Sequence, residues 1–312
     1  MKYTISPTQI GKGHAGTVYK ALNKENNKMY VIKIINSKTN KVLREIRTLK
    51  ELQDAPNFLP IRDILIDPEK FGFPFTLVFD HFHSKPIEEI RKTLTKFQMK
   101  KFIYEIFRTL DYVHSKGIMH RDIKFPNVLM NPETLEVKVI DFGISEYYLP
   151  GKQLPSKMGT LNYKAPELFL GYGFYDYSID IWAAGVMLAE MMFRKKHVFQ
   201  STKKFENVNL SEKEMKLLRN GNQLDAIAGI MGTVDLLQYA SKYQDKMDFK
   251  YLKFVGDHKK VNWKDFVDRS NEDLVDNEGL DLLGKLLVID HTKRITAKEA
   301  MEHKFFDEIK DR

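Results

Sequence analysis

Between His120 and Gly143 the chain reads HRDIKFPNVLMNPETLEVKVIDFG. This sets one aspartate in a basic, amide-bearing loop and a second just ahead of a Phe-Gly pair, with a strand-like stretch between them. Phosphoryl transfer needs oxygen ligands for Mg²⁺, a positive charge near the moving group and a carboxylate that orients the acceptor hydroxyl. Asp122 suits the last role, and Lys124 follows two residues on along the same loop. Asn127 and Asp141 carry oxygens of the kind Mg²⁺ prefers. The remaining chain must then hold a phosphate donor and bring an acceptor up to Asp122.

The first eighty residues read mainly as strands. Tyr3 to Ile10 runs into GKGHAGTVYKAL, and MYVIKII spans Met29 to Ile35 after a hairpin-like turn at Asn23 to Lys28. Gly11, Gly13, Gly16 and Val18 fit G-x-G-x-x-G-x-V between two strand patterns. A dinucleotide-binding fingerprint would lie between a strand and a helix, so that fold is disfavoured. In a flap of this kind glycines let backbone amides approach phosphates; a turn needing flexible residues explains the same pattern. Period-two alternation places Val31, Lys33 and Ile35 on one face, leaving Lys33 among apolar neighbours. A lysine there calls for a partner. The following segment KVLREIRTLKEL is helical in pattern, with Val42, Ile46 and Leu49 on one stripe and Glu45 at its edge. Glu45 is the match; a snorkelling Lys33 and a solvated Glu45 are the other reading. Lys38, Lys41, Arg44, Arg47 and Lys50 form a basic ridge on this helix, either for an acidic substrate or simply solvated. TLVFDHFHS, from Thr76 to Ser84, turns polar at Asp80 and suits a connector. Its backbone at Asp80 and Phe82 would reach a purine edge, with Phe79 behind it; an ordinary linker is the alternative.

Beyond the connector, Phe102, Ile103, Ile106, Phe107, Leu110 and Val113 keep helical spacing within Thr95 to Ser115 and deliver the chain to His120. DIWAAGVMLAEMMF, residues 180 to 193, is apolar nearly all round, as in a helix buried inside a domain. Asp180 at its start would accept backbone amides of the catalytic loop, or simply cap the helix. Residues 201 to 221 are polar and read as a surface insertion. Leu280 to Phe306 returns to helical periodicity, with Arg294 either a buried partner for Glu167 or a surface residue.

A chain of 312 residues is somewhat long for a single core, so two lobes with a cleft are expected. With 43% apolar and 29% charged residues, the whole chain should fold. No stretch approaches the roughly 18 apolar residues of a membrane span, and MKYTISPTQI lacks an apolar signal core, so an intracellular protein is expected. The absence of Cys excludes disulfides, thiolate catalysis and Cys-based zinc sites. A net charge of +8 and a pI near 9.2 suggest acidic partners, nucleic acid or acidic protein segments, with a simply solvated basic surface as the other reading. No aromatic-basic motif supports nucleic acid.

Taken in order, Gly11, Gly13, Gly16, Lys33, Glu45, HRDIKFPN, DFG and Ala165-Pro166-Glu167 resemble the eukaryotic protein kinases over essentially the whole chain. The resemblance implies an α+β, bilobal fold. Residues 1–80 would form a small antiparallel sheet with one main helix, and residues 81–312 a larger, mainly α-helical lobe, with the nucleotide in the cleft. It also implies ATP and Mg²⁺, with Asp122 and Lys124 catalytic and Asn127 and Asp141 on the metal. Lys33, paired with Glu45, would hold the α and β phosphates. The nucleotide pocket would draw on Ile10, Gly11, Lys12, Gly13, His14, Ala15, Gly16, Thr17, Val18, Val31, Phe79, Asp80, Phe82, Leu129 and Ile140. HRDIK looks like the serine/threonine branch.

DYVHSKGIMHRDIK, EYYLPGK, YDYSIDIW, FRKKHVF, GTVDLLQY, KLLVIDH and AMEHKFF are similar to the casein kinase II catalytic subunits. That narrower likeness implies transfer to Ser/Thr in acidic protein segments, with Lys38, Lys41, Arg44, Lys157 and Lys164 as the positive field. Val31 and Ile140 match the family's bulky purine-pocket pair and imply GTP as a second donor. The likeness further implies activity without activating phosphorylation of Ser145, Ser156 or Thr160. It implies residence in nucleus and cytoplasm, and a dimeric regulatory subunit on the outer face of the sheet near Tyr19, Ile32, Ile34 and Val78, giving an α2β2 tetramer. The chain begins at the first strand, whereas family members carry a preceding segment that packs on the activation loop. Pro126 falls one place later than in the family. Gly16 and Phe142 replace its usual Ser and Trp, and Leu161-Asn162 replaces an Arg-Tyr pair. A proline-directed kinase is the nearest alternative, opposed by EYYLPGK and YDYSIDIW. A catalytically silent scaffold is opposed by the retention of Lys33, Asp122 and Asp141.

Overall fold

The computed structural model describes residues 2–12, 16–35, 39–66, 75–201 and 211–310. The amino-terminal part is one antiparallel sheet of β1 (Tyr3–Lys12), β2 (Gly16–Asn23), β3 (Met29–Ile35), β4 (Ile61–Leu65) and β5 (Thr76–Asp80), in spatial order β1-β2-β3-β5-β4, with one long helix among the described residues, α1 (Thr39–Glu51). The hairpin turn falls where the sequence places it: the Asn23 amide donates to the Lys28 carbonyl, and the Asn23 side chain accepts from the Glu25 amide.

The two faces of β3 do different work, as alternation requires. Ile35 joins Val42, Ile46, Leu49 and Leu77 in the main core, which seats α1 on the sheet. Each such aliphatic side chain contributes roughly 1.5–3 kcal/mol by leaving water. On the opposite face Ile32 and Val78 are fully buried with Tyr3 and Ala21 in a small second cluster, and Tyr19 and Ile34 keep part of their surface.

A short α2 (Ile87–Ile90) follows the connector, and α3 (Lys96–Ser115) opens with a capping box in which Thr95 and Gln98 satisfy each other's backbone amides. The face of α3 carrying Phe102, Ile103, Ile106, Phe107, Leu110 and Val113 is buried, so the helix holds β6 (Ile118–Met119) and the loop beyond it from behind. The hairpin of β7 (Val128–Met130) and β8 (Val137–Val139) comes next, and β9 (Glu146–Tyr147) returns to pair with β6. After α4 (Pro166–Phe169) comes α5 (Ser178–Met192), buried from Ile179 to Met192. The lobe is completed by α6 (Glu212–Met231), α7 (Thr233–Lys242), α8 (Asn277–Leu286), α9 (Ala297–Glu302) and α10 (Asp307–Lys310).

The Glu167 carboxylate meets Arg294 at 2.6 and 2.7 Å with both side chains fully buried, and the guanidinium lies 5.0 Å over the Trp182 ring. The polar stretch 201–221 differs from a plain surface insertion. Its end is the start of α6, capped by Ser211 and Glu214, and Asn220 and Gly221 are buried. A Cβ at Gly221 would come within 2.2 Å of the Phe254 ring, so only glycine lets the helix seat there. Among the described residues, no helix is long and apolar enough to cross a membrane.

Candidate active site

Lys33 leaves β3 on its core-facing side, and its Nζ lies 2.6 Å from Glu45 Oε1 on α1 and 2.8 Å from Asp141 Oδ1. Burial pulls against the lysine charge, but Glu45 and then Asp141 outweigh it and raise its pKa. Burial likewise opposes the Asp141 charge, and the charge and hydrogen bond of Lys33 hold its pKa below the ordinary carboxylate value. Both partners are therefore ionised at neutral pH, and sheet, helix and DFG segment are tied at one point.

The second half of the site rests on Asp180. One of its oxygens accepts from the His120 amide at 2.8 Å and lies 3.0 Å from His114 Nε2; the other accepts from the Arg121 amide at 2.8 Å. Burial disfavours its charge, yet these bonds, His114 first, leave the pKa lowered. The helix itself is not capped by this side chain: the cap residue is Tyr177, and Asp180 serves the loop. Arg121 adopts φ 67° and Asp141 φ 65°, left-handed conformations that cost a non-glycine residue roughly 1–2 kcal/mol and mark backbone held by its surroundings.

So fixed, Asp122 has both oxygens engaged. Thr160 Oγ1 donates to Oδ1 at 2.7 Å, and Lys124 Nζ lies 2.7 Å from Oδ2 and donates to Thr160 at 2.9 Å. Asn127 Nδ2 donates to the Asp122 carbonyl at 2.8 Å and to Oδ2 at 3.0 Å. That orientation leaves Asn127 Oδ1 without a donor among the described residues, and Asp141 keeps its other oxygen clear of Lys33. One amide and one carboxylate oxygen fit Mg²⁺, which prefers few protein ligands together with water and phosphate oxygens. Consistently, no cluster of three or more His, Cys, Asp or Glu suited to a metal occurs among the described residues. A cation held there would offset phosphate charge, with Lys33 and Lys124 placed where they would position phosphoryl oxygens and Asp122 where it would orient an acceptor hydroxyl.

Phe125 and Pro126 leave this geometry intact. Pro126 sits in the first turn of a 3₁₀ segment, Phe125–Asn127, and Phe125 is buried against Phe102 of α3 and Tyr163, with Arg91 5.0 Å over its ring. Phe142 is likewise buried between Phe58 and His120, so the DFG segment is packed inward.

Of the nucleotide-pocket candidates, Gly13, His14 and Ala15 lie outside the described residues, as does Lys38 of the basic ridge. Gly16 has a reason of its own: a Cβ would stand 2.1 Å from the Ile34 carbonyl oxygen, so the close pairing of β2 and β3 already requires glycine. Gly11 pairs opposite Val18, Lys12 opposite Thr17, and Val31 opposite Phe79 across the sheet. Ile10 is exposed, and Val18, Val31, Phe79, Phe82, Leu129 and Ile140 are each partly exposed. Asp80 is engaged by Arg62 at 2.6 and 2.8 Å.

Two residues were missed by the motif reading. Thr160 is one, and its distance of 38 positions from Asp122 leaves no local pattern to find it by. Glu146 is the other: it lies 2.7 Å from Arg44 of α1 and 4.0 Å from Arg121. Arg121 also donates to the Ile144 carbonyl and to Tyr175. Arg44 is thus engaged by a carboxylate, and Arg47 lies 5.2 Å over the Tyr147 ring.

The family model for the protein kinase domain matches residues 5–306. The chain belongs to that family, which implies phosphotransfer with ATP and Mg²⁺.

Proposed function

We propose that this protein kinase is a serine/threonine enzyme of the casein kinase II type, transferring the γ-phosphoryl group of ATP, with GTP as a second donor, to acidic protein segments. The observation that carries the reading is the assembled state of both halves of the site. Lys33 is closed on Glu45, and Asp122 is held by Lys124, Asn127 and Thr160. Asp122 and Lys124 act as the catalytic pair, and Asn127 and Asp141 as the metal ligands. Activity without activating phosphorylation is supported by the fate of the hydroxyls: Ser145 is buried and bonded to the Phe142 carbonyl, and Thr160 is shared by Asp122 and Lys124.

The acidic preference is supported by Lys164 and Lys157 after the DFG segment and by Lys41 on α1. Lys164 lies 5.0 Å over the Phe169 ring with no carboxylate partner among the described residues. Burial, then Lys216 and Lys250, push its pKa down to about 8. Arg44 contributes less to this field because Glu146 neutralises it. We further assign a dimeric regulatory subunit to the sheet's outer face, using Tyr19 and Ile34, since Ile32 and Val78 are closed over by the chain itself. Residence in nucleus and cytoplasm goes with the same reading.

The test is a peptide set carrying Ser, Thr or Tyr within acidic or neutral flanks, assayed with ATP and with GTP before and after phosphatase treatment. Transfer to Ser and Thr in acidic flanks, insensitive to phosphatase and abolished in Asp122→Ala while nucleotide still binds, is expected. Tyr as the preferred acceptor, indifference to flanking acid, or collapse after phosphatase treatment would each overturn the corresponding part.

A further inference from the structure

Glu190 places a carboxylate near the end of α5, in a stretch otherwise apolar from Ile181 to Met192, and only 1% of its surface is exposed. A charge so placed calls for a strong cation. Among the described residues no lysine or arginine forms an ion pair with it. The charge of Arg91 reaches it, but Arg91 donates through Nη1 to the Lys195 carbonyl, lies over the Phe125 ring and leaves Nε buried without a partner. What faces the carboxylate directly is weaker: Tyr163 Oη donates to Oε2 at 3.1 Å, the Val198 amide donates to it, and His197 Nδ1 lies 3.4 Å from Oε1. Burial outweighs these contacts and pushes the Glu190 pKa up to about 7. Burial, then the charges of Lys196 and Arg91, lower the pKa of His197, and burial, then Glu190, raise that of Tyr163, with Glu88 of α2 adding a smaller negative charge. A proton taken up near neutrality therefore falls on Glu190.

That proton changes what the pair can hold. Asn162 Nδ2 donates to His197 Nδ1 at 3.0 Å, and this is the same ring nitrogen that faces Glu190. An unprotonated imidazole nitrogen offers one lone pair. With Glu190 ionised, the lone pair belongs to Asn162, and Tyr163 donates to a full negative charge. With Glu190 protonated, its own hydroxyl competes with Asn162 for Nδ1, and Tyr163 is left with a neutral acceptor, a bond roughly half as strong. Asn162 and Tyr163 belong to one 3₁₀ segment, Leu161–Tyr163, whose Tyr163 amide donates to the Thr160 carbonyl at 3.0 Å. Thr160 in turn donates to Asp122 at 2.7 Å. One protonation thus loosens two tethers behind the segment that ends on the carboxylate of the catalytic loop.

We propose that Glu190 and His197 form a proton-sensitive latch on residues 160–163, which holds the segment in its transfer-competent place when Glu190 is ionised and slackens it when Glu190 takes up a proton. The inference rests on Asp122 receiving the acceptor hydroxyl, and it adds a control on that site from behind. The latch also has a cost in stability. Because the pKa of Glu190 is raised on folding, its stabilising contribution is fully present below the ordinary glutamate value and is lost as pH rises through about 7. The competent state is then the less stable one.

The experiment compares the wild-type chain, Glu190→Gln and His197→Ala between pH 6 and pH 8. It reads kcat/KM for a Ser peptide with uncharged flanks, amide hydrogen exchange over residues 160–164 corrected for the intrinsic rate, and the midpoint of thermal unfolding. In the wild type, kcat/KM should rise about tenfold from pH 6 to pH 8, the span of one ionisation near 7, with corrected exchange slowing in step. Glu190→Gln stands in for the protonated form. Its kcat/KM should stay near the wild-type value at pH 6 across the range, and at pH 8 it should unfold at a higher temperature than the wild type. His197→Ala, at a partly exposed position that tolerates truncation, should lower kcat/KM at pH 8 and cut the rise to less than about threefold. A full rise in both variants, wild-type exchange indifferent to pH, or a Glu190→Gln midpoint no higher than the wild type at pH 8 would each overturn the latch. Exchange and unfolding need no transfer, so they decide the latch by themselves, whereas a lack of transfer at every pH would count against the catalytic reading of Asp122.

Discussion

Two buried ion pairs bracket the catalytic loop, and they are built to opposite specifications. Arg294 is saturated: its N–H groups go to both oxygens of Glu167 and to the carbonyls of Val288, Ser178 and Ile289, and neither charged side chain is exposed. Lys33 is a compact charge shared by two carboxylates, one of which, Asp141, keeps 26% of its side chain exposed. One pair is balanced and sealed. The other carries one negative charge in excess at the mouth of a cleft, and that excess is what a divalent cation and its phosphates would meet. Arginine suits the first because its planar donors can all be satisfied at once, and lysine the second because its point charge can change partners.

The comparison breaks most visibly through activity. Lys33→Met should lower turnover by about a hundred- to a thousandfold with a smaller loss of stability than Arg294→Met, because one of the two carboxylates it leaves, Asp141, keeps 26% of its side chain exposed. Arg294→Met should do the reverse. It leaves Glu167 buried and unpaired, so chemical denaturation should show a loss of about 3–5 kcal/mol while folded enzyme keeps near-normal kcat. Equal stability losses in the two variants would erase the distinction. A smaller effect is expected for Glu146→Gln, which releases Arg44 and Arg121 together; a several-fold drop in kcat with little change in KM for ATP would show that Glu146 aligns α1 with the catalytic loop, and an unchanged kcat would deny it that role.

The smallest effect is one of pH. Lys164, with its pKa pushed down to about 8, is charged below that value and neutral above it. On the proposed acidic-substrate reading, the advantage of acidic over neutral peptides in kcat/KM should therefore fade by a few-fold between pH 7 and 9, and Lys164→Arg should flatten the profile. At the other end of the scale, the lowered pKa of Asp141 means that its contribution to stability is present above the ordinary aspartate value and lost as pH falls through the lowered one.

Much of the site was legible wherever the physics is local. Alternation along MYVIKII placed Lys33 on the buried face, and the stripe of α1 placed Glu45 at its edge, so their meeting follows from two periodicities. The burial of α5 followed from an apolar run, and Asp180 from its position at the start of that run. Thr160 and Glu146 were not legible, since each depends on segments that meet only after both lobes have packed. Residues 201–221 misled for a related reason: the polar turns of α6 dominate the composition, while the contact that buries its middle is made by Phe254, distant in sequence.

The carboxylate of Asp180 sets a clock for the enzyme. The amides of His120 and Arg121 end on a side chain rooted in a helix buried from Ile179 onward, so they can exchange with solvent only when that helix leaves the core. Their protection should last as long as the lobe stays folded, on the scale of minutes to hours, whereas contacts across the cleft at Lys33 can open and close within microseconds to milliseconds. The enzyme can then release product and take up fresh nucleotide on the fast side of the cleft while Asp122, the residue proposed to receive the acceptor, never loses its place.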